Sequence, residues 1–131
     1  MPDIPHRADE SRIDKPWGYE LRWAVTDRYL GKVLHVNKGE ALSLQYHEHK
    51  DECQYVVKGC VDIELGGPDG VLTTHRMRAG DTLHITPGTR HRITAVEDTD
   101  IFEVSTPAGR GRRAPLRPVR ARSHVVGVAA G

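Results

Sequence analysis

Between residues 15 and 105, Gly, Pro, Asn and Asp interrupt the chain so often that no amphipathic helix of useful length fits. The intervals left between them alternate apolar and polar residues, as in VDIEL at 61–65. Successive side chains of an extended strand point to opposite faces, so such runs read as half-buried strands. The predicted strands are a first one ending near residue 24, then 29–37, 42–49, 53–58, 61–65, 71–77, 82–85, 91–96 and 101–105. Gly66-Gly67-Pro68-Asp69-Gly70 marks a hairpin turn between two of them. Up to nine short strands joined by turns pack as an antiparallel sandwich or barrel, so the fold class is all-β.

A chain of 131 residues holds one core of this kind. Residues 1–13 are polar, carry Pro2 and Pro5, and are expected to be a flexible segment ahead of a barrel at 14–106. Residues 107–131 lose the alternation and are expected to form a disordered tail of Arg, Ala, Gly and Pro. Six of the 19 basic residues lie in that tail without an acid, which leaves 13 basic against 18 acidic residues elsewhere. The tail has no aromatic residue to stack a base, so no specific nucleic-acid partner is expected. No apolar run is long enough to span a bilayer, and residues 1–18 lack the apolar segment of a secretory signal. Two cysteines, Cys53 and Cys60, do not suggest a disulfide framework, so a cytoplasmic setting is expected.

The segment LSLQYHEHKDECQYVVKG at 42–59 concentrates the chemistry. In a strand, Gln45, His47 and His49 share one face, and Glu52 follows three residues after His49. Imidazole and carboxylate groups together suit a divalent transition metal, and His91 in TPGTRHRI is the candidate further ligand. Parity sets Gln45 and Gln54 on the ligand faces and turns Cys53 away, while Cys60 reads as core. His35 and His84 read as hydrogen-bonded structural histidines, and Trp17 and Trp23 as partners on one packing face. The N-terminal strand offers an edge through which a homodimer could pair.

Two motifs in order, Gly39…His47-x-His49-x-x-Glu52…Gly59 and Gly80…Pro87-Gly88-x-x-His91, resemble the paired motifs of the cupin superfamily. Within it, Lys15-Pro16-Trp17-Gly18-Tyr19-Glu20, the 42–47 segment LSLQYH, Val56-Val57-Lys58-Gly59 and the 87–93 segment PGTRHRI are similar to the cupin domain of type II mannose-6-phosphate isomerases, over roughly residues 14–105. The resemblance implies a single-domain cupin, a double-stranded β-helix or jelly-roll barrel. It also implies one divalent metal (Zn, Mn, Fe, Co or Ni) on His47, His49, Glu52 and His91. The implied activity is isomerisation of a sugar phosphate or related polyol. An aldose–ketose isomerase needs a group that carries a proton between adjacent carbons. Lys50 and Glu52 are the catalytic candidates, with Gln45, Gln54 and Arg90 toward the substrate. The alternatives are an iron-dependent cupin dioxygenase and a non-catalytic module that binds a sugar or sugar nucleotide.

Overall fold

The computed structural model describes residue 6, residues 10–107 and the strands Arg112–Arg113 and His124–Val125. The expectations for residues 1–13 and for the tail therefore fall largely outside the described residues. Those described contain strands and no helix, in two six-stranded sheets. The first sheet runs β1 (Ser11–Lys15), β2 (Gly18–Val25), β3 (Leu30–Val36), β10 (Thr99–Ser105), β5 (Glu52–Lys58), β8 (Thr82–Ile85). The second runs β11 (Arg112–Arg113), β4 (Gln45–Tyr46), β9 (Arg90–Ala95), β6 (Cys60–Gly66), β7 (Leu72–Arg78), β12 (His124–Val125). All pairings are antiparallel except β12 with β7. This is the all-β class expected from the alternation, in the jelly-roll form that the resemblance implies.

The core lies between the sheets. Leu34, Val36, Val56 and Ile101 from the first sheet meet Val61, Ile63, Ile93 and Ala95 from the second, all at most 3% exposed. Their inward positions follow the period of two along each strand. Gly59 joins β5 to β6 at φ +99, and a Cβ there would stand 2.4 Å from the Asp98 carbonyl oxygen. Only glycine takes that conformation and that approach cheaply.

Three local expectations differ from the structure. Ser11–Lys15 forms a strand that reaches back into the segment expected to be loose. It is almost wholly exposed and is held by backbone pairing to β2, which a polar sequence does not advertise. The predicted strand at 42–49 shrinks to Gln45–Tyr46, with one further bridge from Ala41 to Thr94. The His47 carbonyl instead accepts the Gly88 N–H at 2.7 Å, and the chain bends at Glu48 and His49. Trp17 and Trp23 do not share a face. Trp17 lies in the turn before β2 and packs on the core, whereas Trp23 stands at a bulge and is 46% exposed.

A candidate metal centre in the barrel

At one end of the barrel the inward positions stop being apolar. On β3, Lys32 precedes Leu34 and Val36; on β10, Glu103 follows Ile101; on β5, Glu52 and Gln54 precede Val56. On β9, His91 precedes Ile93. These side chains, with Glu20, Gln45, His47 and Lys50, line a cavity of about 620 Å³.

His47, Glu52 and His91 bring one ligand atom each to within 4.8 Å of one another. Their placement follows from three local devices. Glu52 opens β5, which β10 and β8 flank on either side. His91 lies on β9 directly opposite Gln45. His47 is tied to the turn before β9 through the Gly88 N–H; Gly88 itself sits at φ +84, in the left-handed region glycine favours.

The donor atoms are prepared for a cation. His91 Nδ1 lies 3.0 Å from the Thr89 carbonyl oxygen, which only an Nδ1–H can satisfy, so Nε2 is the atom facing inward. Nε2 stands 3.1 Å from Glu52 Oε1 as an ion pair. The alignment falls short of a hydrogen bond, so Oε1 is buried without a donor, as is His47 Nδ1. Buried polar atoms rarely stay unpartnered, and a metal ion between these groups would satisfy both. The other carboxylate oxygen, Oε2, is 3.2 Å from Lys50 Nζ.

The protonation states favour ligation at two of the three groups and oppose it at His91. Burial, then the neighbouring Lys50 charge, lowers the His47 pKa to about 4, so its imidazole is neutral near pH 7 and free to ligate. Burial opposes ionisation of Glu52, but His91 and Lys50 outweigh it and hold its carboxyl at about 2. Burial likewise opposes the His91 charge, and Glu52 and the Thr89 carbonyl overcome it and raise its pKa. A metal ion and a proton therefore compete for the same His91 nitrogen.

Beside the triad runs a chain of buried charges. Lys50 Nζ is 3.4 Å and Lys32 Nζ 3.3 Å from Glu103 Oε2, while Gln54 Nε2 donates to Glu103 Oε1 at 3.0 Å. Lys32 also donates to Glu20 at 2.9 Å, and Arg22 to the same carboxylate at 2.8 Å. Glu103 thus gathers two lysines and a glutamine that all face the cavity.

Of the residues singled out from sequence, the structure assembles His47, Lys50, Glu52, Gln54, Gln45 and His91 around one space. His49 is exposed and stands outside that group, because the strand that would have turned it inward ends at Tyr46. Arg90 lies over the Tyr46 ring at 3.9 Å and donates to the Gly88 carbonyl at 2.8 Å, away from the cavity lining. Glu20, Lys32 and Glu103 went unnoticed. Their signal was a charged residue at the core parity of β2, β3 and β10; the register sets Lys32 directly opposite Glu103, while Glu20 stands opposite Leu34. His35 bonds Asp100 at 2.5 Å and His84 bonds Asp51 at 2.8 Å, both outside the barrel, as the structural reading expected. Cys53 is exposed, Cys60 is buried, and neither is paired.

Residues 32–105 match the cupin domain family. The chain is 28% identical to mannose-1-phosphate guanylyltransferase 2 of Escherichia coli O157:H7 over 105 residues, 79% of this chain and 20% of that protein. It is 30% identical to the polyketide synthase CurC of Streptomyces cyaneus over 104 residues, 77% of this chain and 58% of that one. The chain therefore spans less than two thirds of either relative. The structure of KdgF from Halomonas sp. superposes with a TM-score of 0.65 at 24% identity, covering 82% of this chain and 93% of KdgF, a likeness of fold.

Proposed function

The chain belongs to the cupin domain family, and from that premise we propose that it is a metal-dependent isomerase of a sugar phosphate or related polyol. His47, Glu52 and His91 hold one divalent transition metal, Zn, Mn, Fe, Co or Ni. The observation that carries this reading is the convergence of His47, Glu52 and His91, with His47 Nδ1 and Glu52 Oε1 lacking a hydrogen bond, on a cavity lined by lysines, glutamates and glutamines. When bound, the ion supplies Lewis acidity to a carbonyl and its neighbouring hydroxyl.

The remaining work falls to this chain's side chains. Lys50, 3.2 Å from Glu52, holds or passes a proton beside the reacting carbons. Lys32 presents a second ammonium to anionic oxygens, and Glu103 keeps both lysines at fixed positions. Gln45 and Gln54 offer amide groups to substrate hydroxyls. Burial of Lys50, Glu52, Gln54, His91 and Glu103 keeps bulk water from these groups, which strengthens each interaction. A cytoplasmic setting agrees with the two unpaired cysteines, and no helix among the described residues is long and apolar enough to cross a membrane.

A second reading rests on the donor set. Two histidines and one carboxylate with open positions are also the ligands of non-haem iron oxygenases. One experiment separates the two: protein loaded in turn with Zn, Mn, Co and Fe is given mannose 6-phosphate, with fructose 6-phosphate and dissolved oxygen both measured. Isomerisation without oxygen uptake, abolished by His91→Ala, is expected. Absence of turnover with every metal sinks the isomerase reading. Thermal stabilisation by the sugar phosphate without turnover would instead mark a binding module.

A further inference from the structure

The cavity is long rather than round. On one side, register sets Arg22 opposite Lys32, Glu20 opposite Leu34 and Gly18 opposite Val36, so β2 and β3 carry it from the charged end to the turn before β2. On the other side residues 41–45 run alongside, with Gln45 opposite His91 and Ala41 opposite Thr94. A strand advances about 3.3 Å per residue, so the lip at Lys15, Pro16 and Trp17 stands roughly 10–13 Å along the barrel from His47, Glu52 and His91.

The lysines and the arginine that line this cavity differ in their commitments. Lys32 is shared by Glu20 at 2.9 Å and Glu103 at 3.3 Å, and Lys50 by Glu52 at 3.2 Å and Glu103 at 3.4 Å. Arg92 is clasped by both oxygens of Glu64, at 2.8 and 3.0 Å. Lys15, at the lip, is exposed and has no ion-pair partner among the described residues. Its backbone is nonetheless fixed. Lys15 closes β1 opposite Gly18, the Trp17 carbonyl accepts the Asn37 N–H at 2.8 Å, and the Pro16 ring restricts the turn. Gly18 lets the turn lie against β3, since an added Cβ would stand 1.9 Å from the His35 carbonyl oxygen. Trp17, packed on the core, walls this end of the cavity with Pro16 and Leu42.

An uncommitted cation held at a set distance from a metal centre selects a substrate with an anion at the far end of its chain. We propose, resting on the isomerase reading for the sugar itself, that Lys15 anchors the terminal phosphate of an open-chain hexose 6-phosphate whose carbonyl end lies at His47, Glu52 and His91. Six bonds separate C2 of such a sugar from its phosphorus, about 7 Å at the ~1.2 Å that an extended chain advances per bond. Contacts of about 2 Å to the metal and about 3 Å to an ammonium bring the span to roughly 12 Å, which matches the cavity's length. Lys32 and Lys50, each held by two carboxylates, stay with the oxygens at the metal end. Trp17 lies alongside the sugar carbons next to the phosphate. Lys15 is thus a specificity-determining residue, and it fills the role for which Arg90 lies too far from the cavity lining.

The test titrates mannose 6-phosphate and mannose into the full chain loaded with Mn, in a Trp23→Phe background where Trp17 is the one remaining tryptophan. Binding is read by heat and by Trp17 emission. Mannose 6-phosphate should bind at least ten-fold more tightly than mannose and change the Trp17 emission. Lys15→Gln should weaken mannose 6-phosphate at least ten-fold and erase that preference, and Lys15→Arg should restore most of it. Fructose 6-phosphate formation, followed in parallel, should show the loss in KM rather than in kcat. The anchor is overturned if Lys15→Gln binds mannose 6-phosphate as tightly as its parent, or if the parent binds neither sugar or shows no preference for the phosphate. Binding heat without a change in Trp17 emission overturns it too, since the ligand then lies away from the lip. Turnover with unchanged KM in Lys15→Gln would sink the anchor and leave the isomerase reading standing. Lys15-dependent binding without turnover would do the reverse.

Discussion

The two ends of the barrel interior share one backbone and differ in everything else. Along β3, β5, β9 and β10 the same hydrogen-bonded ladders run from Lys32, Glu52, Gln54, His91 and Glu103 to Leu34, Val36, Val56, Ile93 and Ile101. At the apolar end, tight burial stabilises the fold by roughly 25 cal/mol for each Å² removed from water. At the charged end the side chains are almost as buried, yet desolvation offsets most of what their ion pairs return. The first end holds the barrel together, whereas the second gathers charges around the cavity.

Truncation should expose this difference. Ile101→Ala, at a position 1% exposed, should cost about 2–5 kcal/mol in chemical denaturation, through lost transfer energy and a cavity. Metal affinity should change little, since Ile101 stands in the apolar half. Lys32→Ala at the charged end should cost less, about 1–3 kcal/mol, by leaving Glu20 and Glu103 without their shared cation. The sharper version pairs Lys32→Met with Glu103→Leu. Removing charge and countercharge together should recover much of the loss while abolishing turnover. If that double variant were as unstable as Lys32→Ala, the charged end would be structural.

A smaller effect follows from Glu20. Burial opposes its charge, but Lys32 and Arg22 outweigh this and lower its pKa below 4.5. Its contribution to stability is therefore complete above the unfolded value of 4.5 and is lost as pH falls through the lowered folded value. Thermal midpoints of the wild type and Glu20→Gln should differ near neutrality and converge as the solution is acidified through the lowered folded value. Parallel curves would show that Glu20 is not held by the two cations.

The apolar end was the more legible in sequence, because alternation of Ile, Val and Leu reports strand and face at once. The residues of the candidate site were legible only in part. Glu52, Gln54 and His91 lie within strands, where parity holds. His49 follows a strand only two residues long, and parity there says nothing about direction. Lys32 and Glu103 were hidden for the opposite reason. A charge at a core position reads as an irregularity in the pattern until the register brings both to one cavity. The expected pairing of Trp17 with Trp23 fails because Trp17 lies in the turn before β2, where strand parity does not apply, while Trp23 keeps the outward parity of Leu21.

The most direct measurement is metal stoichiometry and affinity by isothermal titration of the chelator-stripped protein with Zn and Mn, across single variants. The account predicts one ion per chain in the wild type and in His49→Ala. His47→Ala, Glu52→Ala and His91→Ala should each weaken it by at least a hundred-fold. Binding of one ion with unchanged affinity in Glu52→Ala and His91→Ala would contradict the buried triad as the metal centre.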